Sequence, residues 1–178
     1  MSTYRETSYA NQLENFSSFT IRHSRALALF NQARYAATLG KFKSMLLRSK
    51  TELLDLGDIP MKNISSQHYS GIKAVKLDQI CGTSGRVSDF DSNLNPLSDH
   101  IRDRWMSIAM VRFNNEPLPA VKLIQVGNCY YIRDGHHRIS VARTLGEYAI
   151  DAEVITWELH EENCKQNQCA AQNAPLAI

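Results

Sequence analysis

The chain has 178 residues, 43% of them hydrophobic, 21% charged and 8% aromatic. That length suits one domain with an appendage, and the composition excludes collagen-like, extended disordered and coiled-coil-array classes. The formal charge of +2 conceals a division: Arg22, Arg25, Arg34, Lys41, Lys43, Arg48 and Lys50 fall between Thr20 and Lys50 with no acid among them, leaving 13 basic and 18 acidic side chains for the rest.

Residues 1–18 are polar, rich in Ser, Thr and Asn, and are expected as a flexible N-terminus. They lack the basic-then-apolar pattern of a secretory leader, and no apolar run reaches bilayer length, so the expectation is a soluble cytoplasmic protein without a membrane span. Residues 19–57 predict a basic helical arm. Leu27, Phe30, Ala33 and Ala37 recur at spacings of three or four, and Phe42, Met45 or Leu46, and Leu53 resume the stripe. Gly40 interrupts it, which leaves two helices or one kinked helix open. Residues 61–71 read as a connector.

The body is expected over residues 72–157. Ile72 to Ile80 is an imperfect strand, Gly82 to Arg86 a loop, and the stretch after Pro96 a helix capped by Ser98 or Asp99, with Ile101, Trp105, Ile108 and Ala109 inward and Arg102, Asp103 and Arg104 exposed. Ala120–Val126 and Cys129–Arg133 alternate about a Gly127-Asn128 turn, which predicts a hairpin. A short helix from His136 to Leu145 ends at Gly146, and Ile150–Trp157 is the last strand. Residues 158–178 are polar and aperiodic, a loose C-terminal tail. The four cysteines have no paired CxxC spacing, so metal binding through them is not expected, and Cys129 reads as a buried small hydrophobe.

One segment concentrates chemistry. In Arg133-Asp134-Gly135-His136-His137-Arg138, five of six side chains are ionisable, yet the segment lies between an apolar strand and an apolar helix. A strand delivering Asp-Gly into a helix start makes an anion site from backbone geometry, because the first-turn N–H groups are unpaired and the helix dipole is positive there. Gly135 admits a ligand without a Cβ in the way, Arg138 can clamp phosphate oxygens, and Asp134 can hold a metal ion, orient a histidine or bind a hydroxyl. His136 or His137 can donate to phosphate or carry protons. A structural account of the same residues has Asp134 as helix cap, the arginines in surface pairs, one histidine against the sheet and the other solvated. A bare helix start needs one cap rather than this cluster, so the functional reading leads. Gly85 and Arg86, in Gly82-Thr83-Ser84-Gly85-Arg86, form a second, weaker phosphate-binding candidate that depends on the fold bringing it beside His136.

The arm has three readings: packing on the acidic body or a second subunit, nucleic-acid backbone binding through Arg22, Arg25, Arg34, Lys41, Lys43, Arg48 and Lys50, or lying on an anionic membrane surface. The first leads because the charge is spread over several turns and no base-reading motif accompanies it.

From about Ala74 to Ile155 the chain resembles the ParB/sulfiredoxin-like superfamily. Where partition proteins carry Gly-Glu-Arg-Arg and sulfiredoxin Gly-Gly-Cys-His-Arg before the helix, this chain has Asp134-Gly135-His136-His137-Arg138. The free-serine-kinase branch, with Asp-Gly-His-x-Arg, matches that motif most fully, and Gly85-Arg86-Val-Ser-Asp-Phe-Asp91 looks like the superfamily's earlier box. The resemblance implies an α+β fold: a small mixed sheet with a strand-helix-hairpin-helix-strand core, here preceded by the basic arm. It also implies a nucleotide pocket with ATP, ADP or CTP, accompanied by Mg2+, its phosphates at the helix start. The departures narrow the activity. His136 replaces sulfiredoxin's reactive cysteine, which argues against sulfinic-acid reduction, and replaces the partition proteins' glutamate. Nothing after the body matches the partition proteins' DNA-binding and dimerisation regions, which argues against a CTP-loaded clamp. The kinases imply an acidic base near the first strand, for which Asp78, Asp89 and Asp91 are the candidates. The sequence-level expectation is therefore a nucleotide-binding protein, a phosphotransferase or NTP-dependent switch, with Asp134, His136 and His137 as candidate catalytic groups. The alternative is a non-enzymatic DNA-binding regulator acting through the arm.

Overall fold

The structure is a computed structural model that describes residues 3–47, 54–58, 60, 63–85 and 88–160. In chain order it has helix α1 (Thr3–Leu47), strands β1 (Leu54–Asp55), β2 (Ile64–Lys76) and β3 (Ile80–Thr83), helix α2 (Arg102–Phe113), strands β4 (Val121–Val126) and β5 (Cys129–Asp134), helix α3 (His136–Thr144) and strand β6 (Ala149–Leu159). The strands form one mixed sheet in the order β1-β3-β5-β4-β6-β2. The hairpin β4–β5 and the pair β2–β6 are antiparallel, whereas β1–β3, β3–β5 and β4–β6 are parallel. No described helix is long and apolar enough to cross a membrane.

The hairpin alternates as its residues demand. Leu123, Tyr130 and Ile132 point into the main core with the helices, while Ile124 and Tyr131 point to the other face, against Leu56. The main core joins Val75, Leu77, Val121 and Val154 of the sheet region to Ile101, Trp105 and Ala109 of α2 and its leading turn, and to Ile139 and Ala142 of α3. Gly82 is required at one close approach: a Cβ there would stand 2.2 Å from the Leu54 carbonyl oxygen and 2.8 Å from Tyr131 Cδ1, so any side chain would push β1 off β3.

Several expectations change. Residues 3–18 belong to α1 rather than preceding it; they contain no Gly or Pro, and Glu6, Ala10, Gln12, Leu13 and Glu14 favour helix. The helix passes through Gly40 without a break. Its buried stripe is Ala26, Phe30, Ala33 and Ala37, but Phe42 is 68% exposed, so the apolar face does not continue as its spacing suggests. Residues 64–70, expected as connector, are the first half of β2, whose partner β6 supplies the ladder that their weak local pattern hides. Neither Ser98 nor Asp99 caps α2 by a side-chain bond: a 3-10 turn over Asp99–Ile101 leads into the helix instead. Cys129, expected as a lone buried hydrophobe, forms a disulfide with Cys81 on the neighbouring strand β3, with 5.7 Å between Cα atoms. Parallel pairing of β3 and β5 creates that proximity across 48 residues of sequence. Arg48, Lys50, Arg86 and residues 161–178 lie outside the described residues.

The arm is built into the body. Phe30 is fully buried with its ring edge-on to Trp105 at 5.6 Å between centroids, and Ala26 joins the same core. Arg34 pairs with Asp99 at 2.6 Å, and the Arg25 guanidinium lies 4.4 Å from the centre of the Phe113 ring.

Candidate functional site

Strand β5 ends at Asp134, Gly135 turns the chain, and α3 starts at His136. Gly135 has φ +99°, a left-handed conformation that a side chain disfavours. A Cβ at this position would also stand 2.6 Å from Val121 Cγ1 and 3.1 Å from Arg138 Nη2, so glycine is required twice over. Within α3 the Ile139 amide donates to the Gly135 carbonyl at 3.0 Å.

A cavity of about 200 Å³ opens over this helix start, lined by Arg104, Ile108, Arg133, Asp134, Gly135, His136, His137 and Arg138. The whole Asp134–Arg138 cluster is thus on one wall. Arg104 and Ile108 come from α2 and complete the other. They are one turn apart on a flank of α2, and the neighbouring Trp105 donates its indole N–H to Ser140 Oγ of α3 at 2.8 Å, which ties the two helices together and carries Arg104 to the site. Sequence periodicity marks Arg104 as a solvent-facing charge, and exposed it is; only the α2–α3 packing reveals what it faces.

The individual roles are unequal. Arg138 is 15% exposed and spends most of its hydrogen-bonding capacity on the protein: Nη1 donates to the Pro119 and Ala120 carbonyls at 2.5 and 3.0 Å, and Nη2 to Asp134 Oδ2 at 2.7 Å. It locks the entry of β4 to the start of α3. Arg104 and Arg133 are exposed and line the same cavity. Both histidines are buried, His136 at 5% and His137 at 7% exposure, and both pack on Phe90, His136 stacked at 6.2 Å and His137 edge-on at 5.5 Å. Neither is the solvated residue that a purely structural account assigns.

Thr83, at the end of β3, is the residue that links the second candidate segment to the first. Its fully buried hydroxyl lies 2.5 Å from His136 Nε2 and also donates to the Gly85 carbonyl. Gly85 thus stands one bond removed from His136, not on the cavity wall. In the sequence Thr83 stands only as one hydroxyl of the Gly82–Arg86 candidate segment, and the β3–β5 pairing is what brings it to His136.

The carboxylates named as candidate bases stand elsewhere. Asp91 accepts from the Asn93 and Asn95 amides and the Asn95 side chain, capping its own loop. Asp89 lies 3.3 Å from His100, and Asp78 is exposed in the turn before β3. None of the three lines the cavity. Among the described residues no group of three or more His, Cys, Asp or Glu side chains is placed to hold a metal ion. Among the described residues the one carboxylate lining the cavity, Asp134, is engaged by Arg138, so these residues do not fit a protein-held Mg2+.

No protein-family model matches this chain. No curated protein matches it either. Among solved structures it is similar to a crystal structure of sulfiredoxin from Arabidopsis thaliana at 18% identity and a TM-score of 0.34, over 58% of this chain and 98% of that one. No activity or ligand is carried over from that likeness.

Proposed function

We propose that this chain binds the phosphates of a nucleotide, ATP, ADP or CTP, in the cavity at the start of α3. The observation that carries this reading is the convergence of three arginines from separate places, Arg104 on α2, Arg133 on β5 and Arg138 on α3, around a helix start with no side chain at Gly135. The two exposed guanidiniums offer donors for phosphate oxygens, and Arg138 and Gly135 hold the shape into which the phosphates fit. Binding, as in an NTP-dependent switch, is better supported than phosphoryl transfer. A transfer reaction would use His136 or His137 as the reacting or orienting group beside Asp134, but among the described residues no second carboxylate lines the cavity to serve as base.

Isothermal titration of the full chain with ATP, ADP and CTP tests the reading. Replacing Arg104 and Arg133 together by alanine should weaken binding by about tenfold to a hundredfold, the order expected for losing charge-assisted hydrogen bonds to phosphate. Absence of binding by all three nucleotides up to millimolar concentration removes it. The DNA-regulator reading has less support, because Arg25 and Arg34 of the arm are engaged with Phe113 and Asp99 of the body.

A further inference from the structure

The Cys81–Cys129 disulfide lies outside the cavity but on the two strands that build it. Strand β5 runs from Cys129 to Asp134 and delivers the cavity's Arg133 and Asp134. Strand β3 runs from Ile80 to Thr83 and delivers the hydroxyl that holds His136. Cys81 sits at the register shift between the Ile80 and Gly82 pairings, the irregular point of the β3–β5 ladder, so the disulfide ties the strands where their backbone pairing is interrupted. Strand β3 is four residues long, and its other neighbour, β1, has two; beyond the bulge Gly82 and Thr83 pair with Tyr131 and Ile132 of β5, and the Ser84 amide donates to the Ile132 carbonyl at 2.8 Å. Arg143 holds its start, donating to the Leu77 and Ile80 carbonyls at 2.6 and 3.1 Å, but that clamp precedes the bulge.

We propose that Cys81–Cys129 is a reversible thiol–disulfide exchange site, served by a small or protein dithiol, and that its redox state sets the position of Thr83 and hence of His136. Both cysteines are partly exposed, so a thiolate can reach a sulfur. In the exchange the attacking thiolate forms a bond to one of the two sulfurs, the Cys81–Cys129 bond breaks, and the other cysteine leaves as thiolate and takes a proton. The second thiol of the reductant then resolves the mixed disulfide. Two electrons and two protons pass from the dithiol to Cys81 and Cys129, and the dithiol leaves as its own disulfide. Bonded sulfurs are about 2 Å apart, whereas free thiols need a van der Waals separation of about 3.5 Å or more. The difference is taken up beside Cys129, which packs with Ile124 and Tyr131; the Tyr131 ring stands against the bare face of Gly82, the residue before Thr83. Reduction therefore acts on the end of β3 through Tyr131 as well as by removing the tie.

The inference rests on the nucleotide reading only for its consequence, and its test is read first without ligand. The full chain, carrying Cys164→Ser and Cys169→Ser so that one pair remains, is prepared with excess oxidised and excess reduced dithiothreitol. Peptide mapping by mass spectrometry establishes the Cys81–Cys129 state, and the His136 imidazole signals, assigned by their loss in His136→Gln, are followed by NMR. The expected result is a distinct His136 resonance in each state, interconverted by the reagent. Cys81→Ser and Cys129→Ser should each hold the reduced-state signal in both buffers. ATP affinity, where measurable, should be about fivefold weaker in the reduced form, the order that one ordered hydrogen bond contributes. Identical His136 signals in protein shown by mass to be oxidised and reduced overturn the proposal, as does failure of the two cysteines to link under oxidised dithiothreitol. A shift in His136 with no nucleotide binding in either state retains the switch and removes the nucleotide reading instead.

Discussion

The basic arm and the start of α3 are both rich in positive charge, and they use it in opposite ways. Along α1 the arginines are spread over several turns, and two of them meet the body, Arg34 at Asp99 and Arg25 at Phe113. At α3 a smaller number converge on one cavity from three different elements, with two of them left exposed. Charge that is dispersed and paired acts as packing, whereas charge that converges on backbone donors acts as a site. Counting lysines and arginines along the chain favours the arm; geometry favours the helix start.

Four measurements would break or sharpen that contrast. The largest effect is expected from Phe30→Ala. If α1 is part of the core, losing this fully buried ring and its edge contact with Trp105 should cost about 3–5 kcal/mol by urea denaturation; a change within about 0.5 kcal/mol would make the arm a separate appendage after all. At the other pole, Gly135→Ala forces a Cβ against Val121 in a left-handed conformation. A loss of about 2–4 kcal/mol is expected, the sum of overpacking and backbone strain, together with loss of nucleotide binding.

The two kinds of arginine within the cavity should then separate. Arg138→Ala removes bonds to Pro119, Ala120 and Asp134 and is expected to lower stability by about 1–3 kcal/mol as well as weaken binding. Arg104→Ala should weaken binding and leave the unfolding midpoint nearly unchanged. Equal stability losses for both would mean that Arg104 too is structural.

The smallest effect concerns the Asp99 pair. Hydrogen bonds from Arg102 first, and from Arg34, hold the Asp99 carboxyl below the ordinary carboxylate range. A depressed folded-state pKa makes the contribution complete at neutral pH and lost as pH falls through the acid range. The pair is exposed, so the arm-to-body contribution should be slight and further reduced by salt. Comparing Asp99→Asn with the unaltered chain should show a small difference at neutral pH that shrinks as the pH is lowered through the acid range.

Local patterns made the hairpin, the α3 helix and the last strand readable, because each carries its own signal: Gly127-Asn128 between alternating runs, Gly146 after the helix, and alternation through Ile150–Trp157. Residues 64–70 were illegible because their pairing partner, β6, lies about ninety residues later, and a strand with a weak apolar pattern is decided by that partner. The candidate site divides along the same line. The Asp134–Arg138 wall is contiguous in the chain and was visible there. Arg104 was hidden because it looks like any solvent-facing helix charge, and Thr83 was visible only as one hydroxyl of the weaker Gly82–Arg86 candidate.

The sequence by itself determined the short-range geometry of this protein: a strand that breaks at Gly135 into a helix, with ionisable groups packed around the break, is a consequence of residue order and backbone sterics. Tertiary structure decided what those groups meet. Parallel pairing of β3 with β5 brought Cys81 to Cys129 and Thr83 to His136, and the α2–α3 packing through the Trp105–Ser140 bond brought Arg104 to the cavity that Arg133 also lines. The same packing turned the basic stretch into part of the core, through Phe30 rather than through its charges. Side-chain periodicity states which face of an element is apolar, but only packing selects the neighbour, since hydrophobic burial is non-directional.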